Sequence, residues 1–125
     1  SLKDSHKDEG INLAKELIKL NFTLCATKGT AKYIRKFGIR CRIINKVSSG
    51  SPHILNVLDA KKISLVINTG GGNSEHRIND AIALRRATLK NKVPYCTNMS
   101  TALACLEAIK SLKTKKLEVN SLQAI

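Results

Sequence analysis

Four strand-like runs, at residues 22–26, 40–45, 63–68 and 93–96, each hand over to a stretch with helical periodicity. That alternation constrains the chain more than any other feature. Strands separated by helices cannot be joined as tight hairpins. They pair in parallel, and the connecting helices cover both faces of the sheet. The expected fold class is therefore α/β, a three-layer sandwich with a mainly parallel sheet flanked by helices.

The helical stretches carry their own signals. Ile11, Leu13, Ala14, Leu17, Ile18 and Leu20 recur at 3–4 spacing, which predicts a helix over 9–20 with Asp8 as its N-cap. Residues 27–30 read as a turn that opens a second helix to about Phe37, with Gly38 as its terminator. Pro52 suits the first turn of a short helix through Leu58. Helices are expected over 78–89 and 100–112, and the tail 117–125 reads as a short strand or an ordered arm. The buried centre of the second strand is expected at Ile43 and Ile44.

The chain has 125 residues, which fits one domain over 1–125. Its start at Ser1 without Met reads as a processed or excised piece of a longer protein. Apolar content of 42% argues against disorder, and aromatic content of 3% requires an aliphatic core. No apolar run approaches the roughly 18 residues of a membrane span, and no signal peptide is visible. Cys25, Cys41, Cys96 and Cys105 show neither C-x-x-C pairing nor histidines at zinc-ligand spacing. Buried, reduced thiols in a cytoplasmic protein are the reading, with no metal site.

The net charge of +13 implies attraction to anions: nucleic acid, nucleotides or an acidic neighbouring surface. In parallel α/β sheets, ligands sit outside the carboxyl ends of the strands. Those ends carry Thr27, Lys28, Gly29 and Thr30, then Lys46, then Asn68 and Thr69, then Thr97 and Asn98. These are the hydroxyl, amide, glycine and lysine groups that hold phosphate and ribose, and no carboxylate stands among them. Taken singly each has a plainer use: Gly-Thr is a common helix start, Asn a common turn former, and an isolated lysine is usually solvated. The run Gly70–Gly72 meets neither the P-loop nor the dinucleotide pattern and supports only a mobile turn. His6, His53 and His76 are separate, without a nucleophile and acid at workable spacing, and read as surface or capping groups. Scattered aromatics argue against a nucleic-acid module.

Taken together, ATKGTA, GIRCRIINKV, SGSPHI, LVINT and IALRRATLKNKVPYCTN, in this order, resemble the methylglyoxal-synthase-like regulatory domain at the C-terminus of the carbamoyl-phosphate synthetase large chain. The likeness covers about Lys7 to Leu106. It implies a Rossmann-like fold whose first strand ends near Ser1, and allostery rather than catalysis. The effectors implied are UMP and IMP, with the phosphate at Lys7, Thr27, Gly29 and Thr30, Lys46 as a further cation, and Asn68 and Thr69 toward ribose or base. Ornithine is implied at Tyr95 and Thr97, where the domain meets the synthetase body. Lys46 stands where the acetylglutamate-responsive branch has tryptophan, which favours the nucleotide branch. A usual second threonine is replaced by Gly70. The partners implied are the remainder of the large chain and a glutamine amidotransferase small chain. ATP and divalent metal belong to that parent, a glutamine-hydrolysing ligase serving pyrimidine and arginine synthesis, and no cofactor belongs to this domain. A synthase of the same fold needs carboxylates where Ser51 and Asn79 stand, and is disfavoured.

Overall fold

A computed structural model describes residues 1–45, 54–69 and 75–123. After a 3-10 turn at Asp4–His6 come α1 (Lys7–Lys19), β1 (Cys25–Ala26), α2 (Lys28–Arg35) and β2 (Arg42–Ile43). Then follow α3 (Ile54–Asp59), β3 (Val66–Ile67), α4 (Glu75–Lys90), β4 (Tyr95–Cys96) and α5 (Met99–Gln123). The expected alternation is present and the pairing is parallel. Cys25 stands opposite Arg42 and Val66 opposite Tyr95.

The strands form two pairs, β1–β2 and β3–β4. Residues 1–3 run beside β3. The Ser1 ammonium donates to Ile67 O at 2.9 Å, and the Thr69 N–H donates to Ser1 O at 3.0 Å. That is the parallel ladder pattern, and it lies where the resemblance implies the end of a first strand.

Neighbouring strand residues face opposite sides, which makes the layering explicit. Val66 packs with Leu58 of α3 and Leu84 of α4. The next residue, Ile67, packs with Leu13 and Leu17 of α1 and Met99 and Leu106 of α5. Tyr95 and Cys96 divide in the same way. One face is covered by α3 and α4 and the other by α1 and α5, as a three-layer α/β fold requires. A third cluster joins Ile11 and Ala14 of α1 to Ala26, Ala31, Ile34 and Cys41. Large aromatics are absent from the buried sets of all three clusters, as the composition requires.

Each strand is two residues long, shorter than expected, α2 ends at Arg35 and α4 runs over Glu75–Lys90; three further differences bear on the packing. Helix α1 starts at Lys7 rather than Glu9, so Asp8 lies inside its first turn and is not the cap. There it complements the helix dipole and accepts a hydrogen bond from the Tyr33 hydroxyl. The second strand is only Arg42–Ile43, and Ile43 is 44% exposed rather than buried. Among the described residues β2 pairs only with β1, so it is an edge strand. Finally, α5 continues to Gln123, so the described part of the tail is helix rather than strand or arm.

The turns after the first four helices share one device. Asn21, Gly38, Lys61 and Lys92 have φ of 68°, 76°, 57° and 56°. These left-handed residues free the next N–H to reach back: Phe22 bonds Leu17 O, Lys62 bonds Val57 O and Val93 bonds Thr88 O. Such Schellman closures satisfy orphan carbonyls and aim the chain into the following strand. Gly38 is the terminator expected from sequence.

Candidate functional site

The segments that follow β1 and β3 meet around residues 1–3. The Thr30 hydroxyl accepts the Leu2 N–H at 3.1 Å, and the Thr69 hydroxyl accepts the Lys3 N–H at 3.2 Å. Both threonines are buried, at 4% and 7% exposure. Their hydroxyls therefore pin the N-terminal segment across the gap between the two strand pairs. Sequence patterning did not reveal this use, because the contacts span 28 and 66 residues.

Thr27 is the N-cap of α2, in extended geometry, yet its side chain makes no capping bond. The plain capping role is thus not taken up. The first turn of α2 also carries no acidic residue, so the positive end of the helix dipole is not offset there. Gly29 leaves room beside it: the Lys7 ammonium lies 3.8 Å from where a Gly29 Cβ would stand. The Lys7 side chain is 19% exposed and pairs with Asp4 at 2.6 Å, while the Asp4 side chain is 95% exposed. The hydrogen bond and charge of Lys7 hold the Asp4 carboxyl below its ordinary range. An exposed ion pair of this kind is weak, so Asp4 is a displaceable partner for that ammonium.

On the other strand pair, Asn68 Nδ2 donates to the Tyr95 hydroxyl at 3.2 Å. This bond joins a residue expected at the nucleotide to one expected at the ornithine position. Thr97 is exposed, and the following Asn98 caps α5 by accepting the Thr101 N–H at 2.8 Å. Lys46, Gly70, Ser51 and His53 lie outside the described residues. His6 stands at the N-cap position of α1, one of the two places expected for it, but makes no side-chain capping bond; it is half-buried and its Nδ1 is buried without a hydrogen-bond partner. No cluster of three metal-ligating side chains occurs among the described residues.

Of the cysteines, Cys41 and Cys96 are buried as expected, Cys105 is half-buried, and Cys25 is exposed, against expectation. Cys96 Sγ lies 3.4 Å from Cys105 Sγ. Burial, then the hydrogen bond and charge of Cys105, push the Cys96 thiol up to about 12 from 9.0. Between those values the unfolded chain sheds a proton that the native chain retains. Stability should therefore fall as pH rises through that window, by up to about tenfold in the folding equilibrium per pH unit. Urea midpoints below and within the window measure it, and Cys96→Ala should flatten the slope. An unchanged slope in that variant would assign the effect to other groups.

An α/β layered domain with its polar groups gathered at the carboxyl ends of parallel strands is the class defined here. Within that class, residues 9–97 match the MGS-like domain family, and the chain belongs to it. It is 42% identical over 125 residues to the carbamoyl phosphate synthase large chain, C-terminal section, of Methanopyrus kandleri, covering 100% of this chain and 23% of that protein. It is also 42% identical over 124 residues to the carbamoyl phosphate synthase large chain of Rhizobium meliloti, covering 99% of this chain and 10% of that one. The C-terminal section from Aquifex aeolicus is 42% identical over 130 residues, at 100% and 24% coverage. The chain thus spans a tenth to a quarter of these relatives' lengths. No helix among the described residues is long and apolar enough to cross a membrane.

Proposed function

We propose that this domain is the effector-binding regulatory domain of a carbamoyl phosphate synthase large chain, and that it binds UMP- and IMP-type nucleotides at the carboxyl ends of its strands. The observation that carries the reading is the start of α2. It combines an acid-free first turn, a threonine hydroxyl not used for capping, and the Lys7 ammonium beside Gly29. Backbone N–H groups at a helix start, a hydroxyl and an ammonium together make a phosphate-binding set. Lys46 adds a cation by sequence position, and Asn68 and Thr69 lie on the ribose or base side, where the Thr69 hydroxyl, which accepts the Lys3 N–H, keeps only its own O–H to donate. The Asn68–Tyr95 bond then gives a route from nucleotide to ornithine, with Thr97 beside it.

The domain itself does no chemistry in this reading. A nucleotide that binds two states of the parent unequally shifts their balance by that difference in affinity. The parent is a cytoplasmic, ATP- and metal-dependent, glutamine-hydrolysing ligase that works with a small amidotransferase chain and supplies pyrimidine and arginine synthesis.

Calorimetric titration of this chain with UMP and with IMP tests the proposal. The expected result is saturable one-site binding in which each nucleotide displaces the other. Absence of heat up to millimolar nucleotide, with the chain shown to be folded, would sink it.

A further inference from the structure

A mononucleotide phosphate carries about two negative charges, which leaves most of the +13 without a use. The surplus is not spread evenly. The carboxyl ends of β1 and β3 both meet residues 1–3, so the amino ends of the two strand pairs also lie on one side, opposite the candidate site. The loops entering β2, β3 and β4 at that end are 36–41, 60–65 and 90–94. They hold Lys36, Arg40, Lys61, Lys62, Lys90 and Lys92, and no Asp or Glu.

Two grooves open on this end. One, of about 380 Å³, is lined by Arg35, Arg40 and Arg42 over Gly38, Ile39 and Cys41. Arg35 Nε donates to Cys41 O at 2.7 Å, which fixes that guanidinium at the groove wall. The other, of about 340 Å³, is lined by Lys61, Lys90 and Lys92 with Ile63 and Val93. The left-handed turns at Gly38, Lys61 and Lys92 bring these residues to the surface at equivalent places in the fold. Neighbouring acids on α1 and α5 are already engaged: Glu16 pairs with Lys19 and Lys110, and Glu107 with Lys110.

We infer that the amino-end face is a docking surface for an acidic polypeptide segment that also carries aliphatic side chains. Cations alone would suit any polyanion, but both grooves join their cations to aliphatic surface. A nucleic-acid backbone has nothing to place there, and few aromatics are present to stack on bases. A polypeptide alternating carboxylates with apolar groups matches both parts. This surface is separate from the effector site and goes beyond the function proposed above.

The test uses fluorescence anisotropy with three labelled probes: a peptide repeating Glu-Glu-Leu, the same peptide with Ser for Leu, and a short DNA duplex. The expected result is tightest binding of the Leu-containing peptide, weakened by salt. The triple variant Arg40→Gln, Lys61→Asn, Lys92→Asn should weaken it roughly tenfold, because removing docking charges slows association and speeds release. Asn tolerates the left-handed conformation at positions 61 and 92. A charge-matched control, Lys15→Gln, Lys32→Gln, Arg86→Gln, should change it much less. An equal loss in the control would reduce the effect to net charge and overturn the inference. So would tighter binding of the duplex, or equal binding of the Ser peptide.

Discussion

Lys7→Ala is expected to weaken the proposed UMP and IMP binding by roughly 10- to 150-fold, the range for losing hydrogen bonds to a charged group. The ammonium stands beside Gly29 at the start of α2, in the turn that follows the N-cap Thr27. A phosphate seated there would lie within direct reach of Nζ. The side chain belongs to none of the buried clusters, so the thermal midpoint should scarcely move. Asp4→Asn gives the opposite sign. It removes the carboxylate that now occupies the ammonium at 2.6 Å, so nucleotide affinity should rise severalfold. Titration calorimetry on both variants reads the pair. Unchanged affinity in Lys7→Ala would remove Lys7 from the site, and weaker binding in Asp4→Asn would mean that Asp4 orients Lys7 rather than competing for it.

The regular part of this fold was legible because it is local. Ile11, Leu13, Ala14 and Leu17 sit at helical spacing and are buried in α1 together with Gly10, whereas Ile18, read on the same stripe, is exposed and Leu20 half-buried. Gly38 was readable as a terminator because glycine adopts positive φ without penalty. Lys61 and Lys92 hold the same conformation, and nothing in their chemistry announces it. There the following N–H bonds, to Val57 and Thr88, and the packing of the next strand outweigh the residue's own preference. Ile43 was misread because an apolar residue in a strand looks the same from sequence whether or not a partner covers it. The tail helix was missed for lack of a helical stripe in residues 117–125. At the candidate site, the donors were visible as a list of strand-end residue types. Their connections were not. The Thr30, Thr69 and Asn68 bonds tie distant segments together, and no local rule specifies which partner a hydroxyl or amide will find.

Leu58→Ala should lower the thermal midpoint by roughly 8–20 °C, from a cost of about 2–5 kcal/mol for emptying a buried leucine position. Leu58 is 1% exposed and fills the cluster made with Val66 and Leu84. Its helix, α3, has six residues, too few to persist without tertiary packing. Around it the cluster is aliphatic apart from Tyr95, so Tyr95 is the one aromatic side chain in that cluster that could shift toward a void. That exception links stability to the site. Tyr95 packs on the same cluster and receives the Asn68 amide. Relaxation around the void should therefore loosen the Asn68–Tyr95 bond before the domain unfolds. Leu58→Met conserves volume and should cost less than about 1.5 kcal/mol. Thermal melts of both variants separate shape from mere hydrophobicity. If Leu58→Ala melts within two or three degrees of the parent chain, α3 does not anchor this half of the fold.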